Sequence, residues 1–218
     1  MAIIIPEKKL LFLHIPKNGG TYISKILGEN FEWRSIGVKH TNAILESSII
    51  NAINAGYFTF AFVRHPIEWY RSYWSFQMGV NPKQWTLWES EAKWHPTRII
   101  DQSCGSNNFN IFVENILDKY PNFLYEMYKS YIYSIDNKKI DYIGKYENLY
   151  HDLLDIFSIN NISNLNIDKN SINISHTYWK NLAKYSEKLF YKVIDYNKNI
   201  INEFNYSNNI SDFIEIIE

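Results

Sequence analysis

Short apolar runs closed by turn residues alternate along this chain with stretches whose apolar positions recur every three to four residues. Lys9 to Ile15 (KLLFLHI) is such a run, closed by Pro16, and reads as a buried strand. The turn Pro16-Lys17-Asn18-Gly19-Gly20 follows. Thr21 to Leu27 then carries apolar residues at 22, 23, 26 and 27, the stripe of a helix that Gly28 is placed to stop. Residues 40–55 read as helical, Tyr57 to Val63 (YFTFAFV) as a second buried strand, and Pro66 sits where a helix can open at its first position. Phe109 to Leu117 and Tyr120 to Tyr133 read as helices, Asp141 to Lys145 as a third core strand, and Glu147 to Phe157 as the helix after it. Asn160 to Ser175 is an Asn/Ser-rich loop. Apolar residues at 182, 185, 189, 190, 193, 194 and 200 predict one long C-terminal helix from Trp179 to Phe204. Residues 79–107 break the pattern: Trp85, Trp88 and Trp94 stand among Pro82 and Pro96, as in an irregular insertion or lid. With no internal repeat and no linker, alternating strands and helices predict a single α/β domain over residues 1–218, built on a parallel sheet with crossover helices.

Composition narrows the partners. Apolar residues make up 46% of the chain and aromatics 17%, ample for a large core. With 22 basic against 23 acidic residues there is no basic bias toward nucleic acid. The single cysteine, Cys104, excludes an intrachain disulfide and a multi-cysteine metal site, and the six histidines show no close ligand spacing, so no metal is expected. The apolar start is interrupted by Pro6 and Glu7-Lys8-Lys9, too early for a secretory signal or a membrane span. A cytoplasmic protein without a membrane partner is the expectation.

Two places carry anion chemistry. In the loop at 16–21, Gly19 and Gly20 let backbone approach an anion, and the helix that follows aims its unpaired N–H groups and positive dipole end there. Lys17 adds an ammonium and Thr21 a hydroxyl. The lysine precedes the glycines, so this is not the GxxxxGK[ST] loop of nucleotide hydrolases. The second place is VRHPIEWYRSYW. Arg64 closes the second strand, at the sheet edge where open α/β folds bind ligands, and its planar fork suits a phosphate. Ser72, eight residues on, could donate to the same group from the helix begun by Pro66.

FLHIPKNGGTYISKIL is similar to the 5′-phosphosulfate loop of sulfotransferases, whose signature reads roughly HIPKTGGTS, and FAFVRHPIEWYRSYW resembles their 3′-phosphate segment. KHTNAILESSI, YIGKYENLYHDLLDIF and INISH at 172–176 resemble further family segments more loosely. Asn18 stands where the family has Thr, and Tyr22 where it has Ser, which removes one side-chain phosphate contact while leaving the backbone N–H. The resemblance implies a three-layer fold like that of the P-loop nucleotide hydrolases, with a central parallel sheet. It also implies use of 3′-phosphoadenosine 5′-phosphosulfate (PAPS) as sulfonate donor. Residues 17–22 would hold the 5′ end, Arg64 and Ser72 the 3′-phosphate, and Ser175 with His176 would close over the cofactor.

Sulfonate transfer leaves little covalent work to the protein, so positioning and electrostatics should dominate. Lys17 is the expected stabiliser of the leaving phosphate oxygen. His40 is the expected base for an acceptor hydroxyl or amine, with His95 and Glu46 as fallbacks, and His14, inside the first strand, reads as structural. The tryptophans of the insertion either stack on an acceptor or pack the insertion down. The acceptor itself, a saccharide or a small molecule, is not named by the sequence. A small-molecule kinase is the rival reading, although no strand ends in a magnesium-binding Asp; a non-catalytic nucleotide- or glycan-binding module is another.

Overall fold

A computed structural model describes residues 2–37, 46–80, 95–134, 137–163, 165–167 and 177–218. Its strands are β1 (Ala2–Ile5), β2 (Leu10–Leu13), β3 (Arg34–Ile36), β4 (Phe58–Val63) and β5 (Tyr142–Lys145). The helices of the first half are α1 (Gly20–Asn30), α2 (Ser47–Asn54), α3 (Pro66–Val80), α4 (Arg98–Cys104) and α5 (Phe109–Lys119). Those of the second half are α6 (Phe123–Ile132), α7 (Leu149–Ile159), α8 (Thr177–Leu182), α9 (Glu187–Tyr196) and α10 (Lys198–Glu203). Contacts divide the chain into two units, Met1–Arg64 with Tyr128–Asn173, and His65–Met127 with Ile174–Glu218.

The first unit holds the whole sheet, in the order β3-β1-β2-β4-β5. β2, β4 and β5 run parallel, with Leu13 opposite Ala61 and Val63 opposite Lys145. These are the three strands expected from the sequence. The sheet is nevertheless mixed, not purely parallel: β1 lies antiparallel to both β2 and β3. The reason is local. Pro6–Lys8 form a single 3₁₀ turn and Lys9 takes a left-handed conformation (φ 49°), and so short a turn can join only antiparallel strands. Phe12, Phe60 and Phe62 point to one face and meet Tyr22, Ile23, Ile26 and Leu27 of α1, with Leu149, Leu153, Ile156 and Phe157 of α7. Leu11, Leu13, Ala61 and Val63, on the other face, are buried as well, which is why these strands read as unbroken apolar runs.

Gly28 does not stop α1, which continues to Asn30. A Cβ at Gly28 would stand 3.1 Å from the Trp33 indole nitrogen, so the glycine serves close packing. Asn30 closes the helix instead, donating to the Ile26 carbonyl at 2.9 Å.

In the second unit α3 begins at Pro66, as expected, and carries a buried aromatic row in which Trp69 and Tyr73 stack 5.1 Å apart at 3°. Arg71, on the same helix, is buried. It pairs with Glu68 and donates to the carbonyls of Ala183 at 2.8 Å and Lys180 at 3.0 Å, so it caps the carbonyl end of α8. The C-terminal stretch is three helices, not one long one. Tyr185 leaves the helical path to exchange backbone hydrogen bonds with Ile216 and Glu218, both at 2.8 Å, and the Ser186 hydroxyl then caps α9 by accepting from Leu189 N. The stretch expected to be irregular at 79–107 also contains structure: α3 runs to Val80, and Arg98–Cys104 is helical. Trp85, Trp88 and Trp94 lie outside the described residues. Among the described residues no helix is long and apolar enough to cross a membrane.

Candidate active site

The loop between β2 and α1 is built from backbone that side chains resist. Lys17 (φ 67°) and Gly19 (φ 82°) are both left-handed, and Gly20 then starts the right-handed helix. Such alternation turns successive N–H groups toward one concavity, the form in which backbone receives an anion. Among the described residues no side chain caps this helix end. The glycines are also demanded by packing. A Cβ at Gly19 would stand 2.9 Å from Leu149 Cδ2, and one at Gly20 would stand 2.0 Å from the His14 imidazole. His14 is thus buried beneath the loop, stacked on Phe12 at 5.8 Å.

Parallel pairing of β2 with β4 sets Arg64 beside this loop, at the carboxyl ends of the two strands. Arg64 is 4% exposed, its Nη1 donates to the Lys17 carbonyl at 3.2 Å, and its guanidinium lies 3.8 Å over the Tyr146 ring. Desolvation first, and the Arg64 charge second, lower the Lys17 ammonium to a pKa of about 7. Asn18 is 1% exposed, and its amide nitrogen has no hydrogen-bond acceptor among the described residues. A leftover buried donor between two cations, over a glycine loop, suits an anionic ligand with several acceptor oxygens.

Of the residues expected from sequence, the structure brings together Lys17, Asn18, Gly19, Gly20 and Arg64 in the first unit. Thr21 is exposed on the first turn of α1. The Tyr22 ring is core, so at this site the residue has only its backbone N–H to offer. Ser72 lies half-buried on α3, in the second unit. Glu46 sits at the N-terminal end of α2, where its Oε1 accepts from the Ser48 hydroxyl at 2.9 Å. His95 is buried, with Nδ1 2.6 Å from Thr97 Oγ1. Thr97 in turn reaches Asp101, whose carboxyl also receives Tyr73 at 2.5 Å and Gln77 at 3.1 Å and is raised to about 7, chiefly by burial. His40, Ser175 and His176 lie outside the described residues.

Two contributors were missed. Tyr146 follows β5, so the rule that ligands gather at strand carboxyl ends could have found it. Tyr128, from α6, carried no such signal.

None of the curated proteins and none of the solved structures compared with the chain matches it. A family model described as the sulfotransferase family matches residues 1–207, a span that includes the 16–21 loop and Arg64, and the chain belongs to the sulfotransferase family.

Proposed function

We propose that the chain, acting as one sulfotransferase domain, transfers a sulfonate group from PAPS to a hydroxyl or amine of a saccharide or small molecule. The observation that carries this reading is the pair of cations, Lys17 and Arg64, set around the Gly19-Gly20 loop with the Asn18 amide nitrogen left over. The family supports the sulfonate chemistry, and the donor set supports a ligand with more than one phosphate. Lys17, Asn18 and the N–H groups of residues 19–22 would hold the 5′ end, and Arg64 with Ser72 the 3′-phosphate. PAPS supplies the sulfonate when bound.

The protein's own part is electrostatic. Lys17 holds its proton at Nζ against the developing charge, and the planar Arg64 guanidinium offers a two-pronged contact to a phosphate. In this reading His40 accepts the proton that the acceptor loses, with His95 and Glu46 the alternatives, and Ser175 closes over the nucleotide. A cytoplasmic protein working without a metal completes the proposal.

Calorimetry tests the donor class. Without magnesium, 3′,5′-diphosphoadenosine should bind at least tenfold more tightly than ADP or ATP, since one hydrogen-bonded charge contributes about 1.5–3 kcal/mol. Equal or tighter binding of ATP would overturn it.

A further inference from the structure

The backbone of Arg64 has an accounting problem. Pairing of β4 with β2 reaches Leu13 opposite Ala61, and pairing with β5 ends at Val63 opposite Lys145. The N–H and C=O of Arg64 therefore lie just past the ladder, in a residue 4% exposed, and need partners from elsewhere. One hydroxyl meets both. Arg64 N donates to Tyr128 Oη at 3.2 Å, and Tyr128 Oη donates to Arg64 O at 3.0 Å. The same oxygen stands 3.4 Å from Asn18 Oδ1, in the anion loop. From the other side Arg64 Nη1 reaches the Lys17 carbonyl at 3.2 Å, which closes a ring of contacts through residues 17, 18, 64 and 128. Tyr128 is 0% exposed, and burial holds its phenol far above the usual tyrosine range, so it stays protonated.

We propose that the Tyr128 hydroxyl is a positioning group that ties the anion loop to Arg64, so that the two hold a fixed spacing for a ligand with two separated phosphates. A lone pair of the phenol accepts from Arg64 N, and its one hydrogen is shared between two acceptors, Arg64 O at 3.0 Å and the longer contact to Asn18 Oδ1 at 3.4 Å, which neither an aliphatic side chain nor Phe can do. Tyr128 touches no reacting atom in this scheme; it acts through Arg64 and Asn18. The inference rests on the reading that this edge of the sheet binds 3′,5′-diphosphoadenosine.

The readout is the 3′-phosphate premium, the ratio of Kd for adenosine 5′-monophosphate to Kd for 3′,5′-diphosphoadenosine. Tyr128→Phe keeps the ring and strands the Arg64 backbone. The premium should fall roughly five- to tenfold, the equivalent of one buried hydrogen bond left unmade. Tyr131→Phe, a buried tyrosine on the same helix, should leave the premium unchanged, whatever either variant does to the melting temperature. A general loss of stability lowers both affinities together and does not move a ratio. An unchanged premium in Tyr128→Phe, or an equal fall in both variants, overturns the inference. If Tyr128→Phe does not fold, Asn18→Ala decides. It cuts the loop arm, and the Asn18 contact with the 5′ end that it also removes is common to both nucleotides and cancels in the ratio. The premium should fall by about threefold or more, a fraction of that same hydrogen bond, and no change refutes the tie. A wild-type protein with no premium at all would instead refute the nucleotide reading.

Discussion

Lys17→Ala should lower turnover with PAPS by about a hundredfold or more, the usual consequence of removing one preorganised charge stabiliser. Affinity for 3′,5′-diphosphoadenosine should fall much less, because Asn18, Arg64 and the loop N–H groups remain. Pre-steady-state turnover beside calorimetry separates the two, and a rate within a few-fold of wild type would remove Lys17 from the chemistry. The depressed pKa adds a second, independent signature. Without ligand Lys17 titrates at about 7, held down by desolvation and then by Arg64. A bound phosphate reverses the local charge and raises that pKa, so binding above pH 7 takes up a proton. Affinity should accordingly be flat below pH 7 and decline as pH rises from 7 toward the raised value. Calorimetry in buffers of different ionisation enthalpy counts the proton directly, and Lys17→Ala should abolish both the uptake and this slope. Folding stability runs the other way. The unfolded chain keeps Lys17 near its ordinary value of 10.5, so it binds more protons than the native state between about 7 and 10.5. Through this group the ligand-free protein gains stability as pH rises across that window, and carries the full cost of the buried ammonium below it.

The parts of the fold legible in the sequence were those in which burial alone sets the pattern. β2, β4 and β5 are covered on both faces and therefore appear as unbroken apolar runs, and α3 announced itself through Pro66. β1 was hidden because its residues, AIII, are as apolar as any core strand, and only the Pro6–Lys8 turn reveals that the chain doubles back. The C-terminal helix was over-extended because its 3.6-residue period survives the break at Tyr185. What ends the helical path there is a long-range exchange of hydrogen bonds with residues 216 and 218, which no local pattern encodes, although Ser186 ahead of Leu189 carries the cap signal.

At the site the division follows the same logic. Lys17, Gly19, Gly20 and Arg64 stand at turns and strand ends, where sequence punctuation is strong, and the register of β2 against β4 brings them side by side. Gly20 was read as an anion-approach glycine, and the structure gives it a further cause in the His14 ring that its missing Cβ admits. Tyr22 was a position of departure from the family pattern for a physical reason: its ring fills the core between α1 and the sheet. Tyr128 could not be read at all. Its role depends on where a helix more than sixty residues after Arg64 passes, and an apolar-periodic helix announces its buried face without saying which backbone groups its one hydroxyl will meet.

Arg64→Ala should weaken 3′,5′-diphosphoadenosine by roughly 10- to 100-fold, the worth of a hydrogen-bonded, desolvated charge. Adenosine 5′-phosphosulfate, which lacks the 3′-phosphate, should lose only a few-fold. The smaller loss is not zero, because Arg64 also donates to the Lys17 carbonyl and so helps to hold the loop. The arginine cannot be replaced by lysine at low cost: a flexible ammonium neither lies flat over the Tyr146 ring nor forms a two-pronged contact with a phosphate. Arg64→Lys should therefore recover only part of the affinity. Both variants should also shift the pH slope of adenosine 5′-phosphosulfate binding. Alanine removes a positive charge that lowers Lys17, so Lys17 should titrate above 7 in the ligand-free variant and the slope should begin at a higher pH. Lysine keeps the charge and should keep more of the original slope. Equal losses for the two ligands in Arg64→Ala, with the slope unmoved, would make Arg64 a structural residue of the loop and leave the 3′-phosphate to be read by other groups.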